Sequence, residues 1–270
     1  MTGQKINFLE TKKEKSKMKL DPVTPAEDIS VTRFRQYLRI ETVQPNPDYL
    51  NAKKFLELYA EELNFPIEHV ETAPGKWVSI MKCEGCDKNL KSIILNSHID
   101  VVPVYPEHWK HPPFSAHKDE NGDIWARGSQ DMKLVGIQYM EAIRRIRQKN
   151  SDWKPKRTFY IVWVPDEEIG GHDGMEKWIL NHRDHFDSLN VGYELDEGLA
   201  NPKTTYRVFY GERSPWWIKI IATGQPGHGS AFIQNSAGER LHKYISRVME
   251  FRNFEEGRLN STDDKFKDIQ

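Results

Sequence analysis

The sequence has few of the features that mark secreted, membrane-spanning or nucleic-acid-binding proteins. Only two of its 270 residues are cysteines, Cys83 and Cys86, so a disulfide framework is excluded and a reducing cytoplasm is the expected compartment. No apolar run approaches the roughly 20 residues of a membrane-spanning helix, so no membrane association is expected. The formal net charge of -1 gives no general attraction to nucleic acid or to anionic membranes. We therefore expect a soluble globular protein.

Composition and residue patterns divide the chain into three parts. Residues 1–22 are rich in lysine and poor in apolar residues, and we expect a disordered tail. Residues 23–210 alternate strand-like and helix-like patterns, which predicts an α/β domain with a largely parallel sheet. Residues 211–270 change in character and predict the first half of a second domain of the α+β class.

Helix starts and strand-like runs can be placed along the chain. Thr24 and Glu27 form a capping box with Pro25 at the first helical position, which predicts that the first helix begins there. Ser236 and Glu239 form a second capping box and predict a helix in the second domain. The runs that predict strands are residues 77–82, 91–97, 157–164, 191–195 and 216–222.

Acidic residues and one histidine follow the predicted strands at their carboxyl ends. His98 and Asp100 follow one strand, and their spacing places both on one face of extended chain. Glu167 and Glu168 follow the next strand, Asp196 and Glu197 follow a third, and Asp131 lies where a helix begins. Ligands bind at the carboxyl ends of parallel strands in open α/β sheets. We therefore expect these side chains to converge.

The chemistry of this set favours a metal site. One imidazole with several carboxylates suits zinc, and the excess of oxygen ligands suits two metal ions that share a bridging carboxylate. The alternative is a structural ion-pair network, which also gathers carboxylates. Glu167 and Glu168 lie between Pro165 and two glycines, which predicts a tight turn. On such a turn one glutamate can bind metal while the other moves a proton, so the chain is predicted to be a metallohydrolase.

Four motifs occur in order along the chain. They are LNSHIDVVP at residues 95–103, ARGSQDMK at 126–133, PDEEIGGH at 165–172 and LDEG at 195–198. Together with ERSPWW at 212–217 and PGH at 226–228, they resemble the aminoacylases, zinc-dependent N-acyl-L-amino-acid amidohydrolases within the dizinc peptidase and deacylase family. The resemblance runs from about residue 25 onward. It implies an incomplete zinc-peptidase-like catalytic domain at 23–210 and an incomplete lid and dimerisation domain at 211–270.

The resemblance implies two zinc ions per full-length chain and assigns their ligands. His98 and Glu197 correspond to ligands of one zinc ion, and Glu168 corresponds to a ligand of the second. Asp131 corresponds to the carboxylate that bridges both ions. The implied substrate is a small N-acyl-amino acid.

The resemblance also implies roles for three residues that are not zinc ligands. Asp100 corresponds to the carboxylate that orients His98, and Glu167 to the general base that activates water and then protonates the leaving amine. His228 corresponds to a residue that reaches across a homodimer to stabilise the oxyanion in the partner's site. From its sequence context alone, His228 could be an exposed loop histidine, although the flanking glycines leave it free to reach a ligand.

Some parts that the resemblance implies fall beyond Gln270. They are a last histidine ligand of the second zinc ion and an arginine that holds the substrate carboxylate, so the chain is expected to be truncated and inactive by itself. Two other functions are left open by the motifs. One is a related dizinc dipeptidase or desuccinylase, and the other is a catalytically dead fragment with a binding role. The ERSPWW segment favours an aminoacylase.

Overall fold

The computed structural model describes residues 18–199, 201, 204–205, 208–211, 214 and 216–261. The chain divides into two compact units, Met1–Val208 and Phe209–Gln270. The α-helices are α1 (Ile29–Leu38), α2 (Tyr49–Glu62), α3 (Lys133–Lys149), α4 (Lys177–Asn181), α5 (Arg183–Ser188) and α6 (Ala237–Leu259). The strands are β1 (Ile67–Ala73), β2 (Lys76–Cys83), β3 (Ser92–His98), β4 (His117–Lys118), β5 (Ile124–Trp125), β6 (Phe159–Val164) and β7 (Val191–Leu195). Among these residues, no helix combines the length and apolar character needed to cross a bilayer.

The first unit is built on a five-stranded mixed sheet with the strand order β1-β2-β6-β3-β7. Strand β3 pairs in parallel with both β6 and β7, which confirms the expected α/β fold and its parallel strands. The β1–β2 and β2–β6 pairs are antiparallel, so the sheet is less parallel than the sequence predicted. The β1–β2 connection turns tightly through Gly75, whose φ of 76° is readily adopted only by glycine.

Helices cover both faces of this sheet. Residues of α1, α2 and α3 form one apolar cluster with Met81, Ile161 and Trp163 of the strands. On the opposite face Trp178 of α4 and Leu189 pack against the other side chains of β2, β3 and β6. Alternate residues of β6 thus enter different clusters, as the period of two in a strand requires. The result is a three-layer unit in which the carboxyl ends of β3, β6 and β7 lie at one edge of the sheet.

Helix α3 approaches the sheet most closely at Gly136. A Cβ atom at this position would lie 2.6 Å from Nε1 of Trp163 and 3.0 Å from Oγ of Ser97. We expect Gly136→Ala to lower the free energy of unfolding by about 1–3 kcal/mol, because a packed interior does not absorb an added carbon without strain. Gly257→Ala in α6 is the control, because a Cβ there meets nothing within 4 Å. Urea unfolding followed by circular dichroism would refute the close packing if both variants were equally stable.

The amino-terminal part of the chain differs from the sequence-based expectation. Residues 1–17 of the expected tail lie outside the described residues, whereas Met18 and Leu20 already pack against the helical core. The prediction that the first helix begins at Thr24 is wrong, since α1 begins at Ile29. Asp28 is the actual cap, and its carboxylate accepts a hydrogen bond from the main-chain nitrogen of Ser30 at 2.8 Å. Thr24 only closes a turn through its carbonyl oxygen.

In the second unit the predicted helix is confirmed and the predicted strand is wrong. Ser236 caps α6 by accepting a hydrogen bond from the main-chain nitrogen of Glu239, as a capping box requires. Residues 216–222 are not in a strand, and no hydrogen-bonded neighbour for them exists among the described residues of this unit. Without a partner strand, the side chains of Trp216, Trp217 and Ile221 are left exposed.

Candidate metal centre

The parallel strands bring the predicted site residues to one edge of the sheet. His98 is the last residue of β3 and pairs with Val164 at the end of β6. The chain then turns through Pro165 and reaches Glu167 and Glu168. On the other side of β3, strand β7 ends at Leu195, two residues before Glu197. Parallel pairing therefore aligns the carboxyl ends of three strands, and their following residues meet.

His98 lies at the centre of this group and is only 1% exposed. Its Nε2 atom is 3.0 Å from Oδ1 of Asp131, 3.6 Å from Oε2 of Glu197 and 3.8 Å from Oε2 of Glu167. Its Nδ1 atom is 2.8 Å from the main-chain oxygen of Asp100. Since Nδ1–H donates to that carbonyl oxygen, Nε2 is the ring atom that faces the carboxylates and would face a cation.

Five side chains lie close enough to hold metal ions. In one group, the candidate ligand atoms of His98, Glu167 and Glu197 all lie within 4.8 Å of one another. In the other group, those of His98, Asp131 and Glu168 do so. One imidazole and four carboxylates are a donor set that fits zinc. The structure therefore brings together every metal ligand that the sequence suggested and adds Glu167, which the sequence assigned only to proton transfer.

The carboxylate of Asp100 has partners that the sequence did not predict. It was expected to orient His98, but its Oδ1 atom is 3.8 Å from Nδ1 of His98, which contacts the main-chain oxygen of Asp100 instead. The Asp100 carboxylate accepts hydrogen bonds from the main-chain nitrogens of Glu167 at 3.0 Å and Glu168 at 3.2 Å. It also accepts one from Nε2 of Gln44 at 2.8 Å. Asp100 therefore holds the turn that carries both glutamates.

Comparison with known proteins decides the family. Residues 94–251, more than half of the chain, match the sequence profile of Peptidase family M20/M25/M40. The chain belongs to this M20 family. All five candidate ligands lie within the matched region, four of them at strand ends and Asp131 just before α3.

Relatives of this M20 chain are known in mammals and in an amoeba. Over 236 residues it is 52% identical to aminoacylase-1 of Mus musculus, a match that covers 87% of this chain and 57% of the relative. It is 51% identical to aminoacylase-1 of Homo sapiens over 232 residues, with 86% and 56% covered. Aminoacylase-1 of Dictyostelium discoideum is 50% identical over 227 residues, with 84% and 54% covered. The chain thus spans a little over half the length of these relatives.

A solved structure supports the fold alone. An M20 family metallo-carboxypeptidase from Sulfolobus solfataricus superposes with a TM-score of 0.54 at 23% sequence identity. The superposition covers 64% of this chain and 38% of that protein. The shared architecture agrees with the M20 assignment.

Electrostatics in the M20 site favour the binding of a cation. Burial alone would lower the pKa of His98, but its hydrogen bonds to Asp131 and Glu197 and the charge of Asp100 raise that pKa to about 11. Burial and the charge of Asp131 raise the pKa of Glu168 to about 7. The raised pKa values show that the crowded negative charge of the site favours bound protons. A metal ion would displace those protons, because its ligands bind in their deprotonated forms.

His228 belongs to the second unit, in the loop before α6. It is exposed, and its Nδ1 atom lies 2.8 Å from Oγ of Ser230. The ERSPWW segment, which contributed to the resemblance, lies partly outside the described residues, since positions 212, 213 and 215 are not among them.

Sequence reasoning missed Gln44 and Tyr49, which contact the site from the connection between α1 and α2 and from the first turn of α2. Tyr49 donates a hydrogen bond from its hydroxyl to Oδ1 of Asp166 at 2.6 Å. Gln44 donates to the carboxylates of both Asp100 and Asp166. Neither residue lies near a strand end in sequence, so no local motif signalled its proximity to the site.

Proposed function

We propose that this M20 protein, at the length of its relatives, hydrolyses N-acyl-L-amino acids to a carboxylate and an L-amino acid, with zinc as its cofactor. The observation that carries the proposal is the set of carboxylates around His98. It is supported by the 50–52% sequence identity of the chain to three aminoacylase-1 proteins. A probable carboxypeptidase S-like protein of Dictyostelium discoideum is only 31% identical. The higher identity favours amide bonds of acylated amino acids over peptide bonds as substrates.

We assign the zinc ligands as the resemblance implies. His98 and Glu197 would hold one ion, Glu168 would hold the second, and Asp131 would be a ligand of both. Bound by these residues, zinc would supply Lewis acidity toward the amide carbonyl and would lower the pKa of a bound water. The support from the structure is the 3.0 Å distance between Nε2 of His98 and Oδ1 of Asp131 and the proximity of both side chains to Glu168.

Glu167 takes a proton from the attacking water and delivers it to the leaving amine. Its side chain is 47% exposed, so substrate and water can reach it. Burial of the remainder and the charges of Glu197, Asp100 and Asp131 raise its pKa, although His98 opposes this effect. A base with a raised pKa binds a transferred proton more readily, which suits general base catalysis. Asp100 fixes the main chain of Glu167 and so aims its carboxylate.

Assembly, domain roles and compartment complete the proposal. Residues 23–210 form the catalytic domain, and residues 211–270 contribute to a lid through which two copies pair. His228 of one protomer stabilises the oxyanion in the site of the other. The low cysteine content supports a cytoplasmic location. Light scattering of the purified protein at increasing concentration tests the homodimer.

The direct test of the function combines metal analysis with an activity assay. A form of the protein that spans the length of its relatives, dialysed against buffered zinc, is expected to retain the metal and to release methionine from N-acetyl-L-methionine. Methionyl dipeptides are the comparison substrates. Failure to retain zinc, or faster hydrolysis of the dipeptides than of the acetylated amino acid, would contradict the proposal. His98→Ala is the matched control, because it removes the ligand that both groups of candidate side chains share.

A further inference from the structure

The turn that carries both glutamates begins in a left-handed conformation. Asp166 has φ 64° and ψ 21°, a region that residues other than glycine adopt infrequently. Glu167 and Glu168 follow directly, so their directions depend on how firmly Asp166 is held. A residue in this region keeps its conformation only where the surrounding structure fixes it. Contacts to Asp166 therefore determine the directions of the two glutamates.

Tyr49 holds Asp166 at two points. Its hydroxyl donates a hydrogen bond to Oδ1 of Asp166 at 2.6 Å and accepts one from the main-chain nitrogen of Asp166 at 2.8 Å. Both residues are buried, so water does not compete for these bonds. Lys76 contacts the other carboxylate oxygen of Asp166 and also bonds Asp173. The conformation of Asp166 is thus fixed through both its main chain and its side chain.

Gln44 connects Asp166 to Asp100, the residue that holds the main chain of Glu167 and Glu168. Its Nε2 atom donates to Oδ1 of Asp166 at 3.1 Å and to Oδ2 of Asp100 at 2.8 Å. Asp100 in turn accepts hydrogen bonds from the main-chain nitrogens of Glu167 and Glu168. One buried amide therefore connects the two carboxylates that fix the turn.

We infer that Tyr49 and Gln44 are positioning residues for Glu167 and Glu168, an inference that rests on the proposed function of this site. Neither side chain is among the candidate metal ligands, and both act through Asp166 and Asp100. Their contribution is to keep the base and the metal ligand on one turn in a fixed relation to His98. Loss of such supporting hydrogen bonds typically costs about 10–100-fold in metal affinity or activity.

The test is Tyr49→Phe, with Tyr37→Phe as the matched control. Each change removes one buried hydroxyl and keeps the ring. The hydroxyl of Tyr37 has no hydrogen-bond partner among the described residues, and its ring stacks on Phe55 with centroids 5.0 Å apart. Both variants thus lose the same atom from the same helical layer. Only Tyr49→Phe removes the contact with the turn.

Three measurements on the full chain separate positioning from a loss of fold. In the metal-free protein, amide hydrogen exchange of residues 166–168 is expected to be faster in Tyr49→Phe and unchanged in Tyr37→Phe. Titration with Co²⁺, followed by its visible absorption, is expected to show a changed spectrum and about 10–100-fold weaker binding in Tyr49→Phe alone. In an active form of the protein, kcat should fall while KM stays near its original value, because Tyr49 does not touch substrate.

The outcomes distinguish this inference from the function on which it rests. If Tyr49→Phe and Tyr37→Phe gave the same exchange and the same Co²⁺ spectrum, the positioning role would be overturned and the metal site would stand. If the unaltered protein bound no Co²⁺, the proposed function would fail and the inference with it. Gln44→Met is the second variant, should Tyr49→Phe unfold. It removes the amide that donates to both Asp100 and Asp166, and it is expected to give the same change in the Co²⁺ spectrum. An unchanged spectrum in this folded variant would also overturn the positioning role.

Discussion

Replacing Glu167 by glutamine in a form of the protein that spans the length of its relatives is expected to leave zinc bound and to reduce hydrolysis of N-acetyl-L-methionine by at least about 10²–10⁴-fold. Glutamine has nearly the same size and keeps the main-chain hydrogen bond to Asp100, but it cannot accept a proton at neutral pH. Because the Glu167 side chain is 47% exposed, the change leaves no buried group unpaired and should not alter the fold. The loss of hydrolysis would therefore be due to the loss of proton transfer by Glu167.

Metal content and turnover must be measured together, since the structure places Glu167 in one group with His98 and Glu197. Glu107→Gln is the control, as this glutamate is 67% exposed and lies outside both candidate metal groups. Retained zinc with lost turnover would support Glu167 as the base. Loss of zinc would instead make it a ligand, and near-normal turnover would exclude it from catalysis altogether.

The neighbouring Asp166 is a poor substitute for Glu167 as the base. From sequence it is the next candidate, because it lies in the same acidic cluster. In the structure it is 2% exposed, and its carboxylate accepts hydrogen bonds from Tyr49, Gln44 and Lys76. A carboxylate that is buried and already accepts three hydrogen bonds is not accessible to a substrate or to its attacking water. Asp166 supports the turn and does not react.

The parts of the fold that depend on local pattern could be predicted from the sequence. The continuous apolar runs that became β3 and β6 needed no knowledge of their partners, and the capping box at Ser236 was sufficient to place the start of α6. The strand predicted at residues 216–222 failed because a strand exists only with a hydrogen-bonded neighbour, which apolar composition does not supply. The first helix was misplaced because Thr24 and Asp28 are both good caps, and sequence alone does not rank them.

The site was predictable where strand ends carry its residues. His98, Glu168 and Glu197 follow parallel strands, so the topology of the sheet brings them together. The supporting residues were not predictable, because Gln44 is 56 positions from Asp100 and Tyr49 is 117 positions from Asp166. Their contacts arise from the packing of the helical layer on the strand ends. No spacing rule along the sequence encodes such contacts.

The burial of Lys133 is another feature that the sequence does not reveal. A lysine beside an acidic motif at a helix start is expected to be exposed, yet it is fully buried, and burial lowers its pKa to about 7. Its Nζ atom donates to the main-chain oxygens of Tyr37 and Ile40 at the end of α1. It thereby ties the start of α3, directly after Asp131, to the helical layer.

Removing the side chain of Asp131 is expected to weaken both metal positions, whereas removing that of Glu168 should weaken mainly one. Asp131 contacts Nε2 of His98 at 3.0 Å and shares a group of candidate ligands with Glu168. A bridging carboxylate is common to two ions, so its loss takes one ligand from each. Each loss should exceed the roughly 10–100-fold that removal of a supporting residue costs in metal affinity.

The measurement is zinc bound per chain across a series of buffered zinc concentrations, for Asp131→Ala, Glu168→Ala and the control Asp123→Ala. Asp131 is 62% exposed, so its truncation leaves no cavity in the core. A difference in bound zinc between the variants therefore reflects metal affinity and not stability. Asp123 is exposed beside β5 and outside both candidate groups, so its removal should change nothing. If Asp131→Ala lost only one of two bound ions, Asp131 would be a terminal ligand and the bridge would have to be another carboxylate.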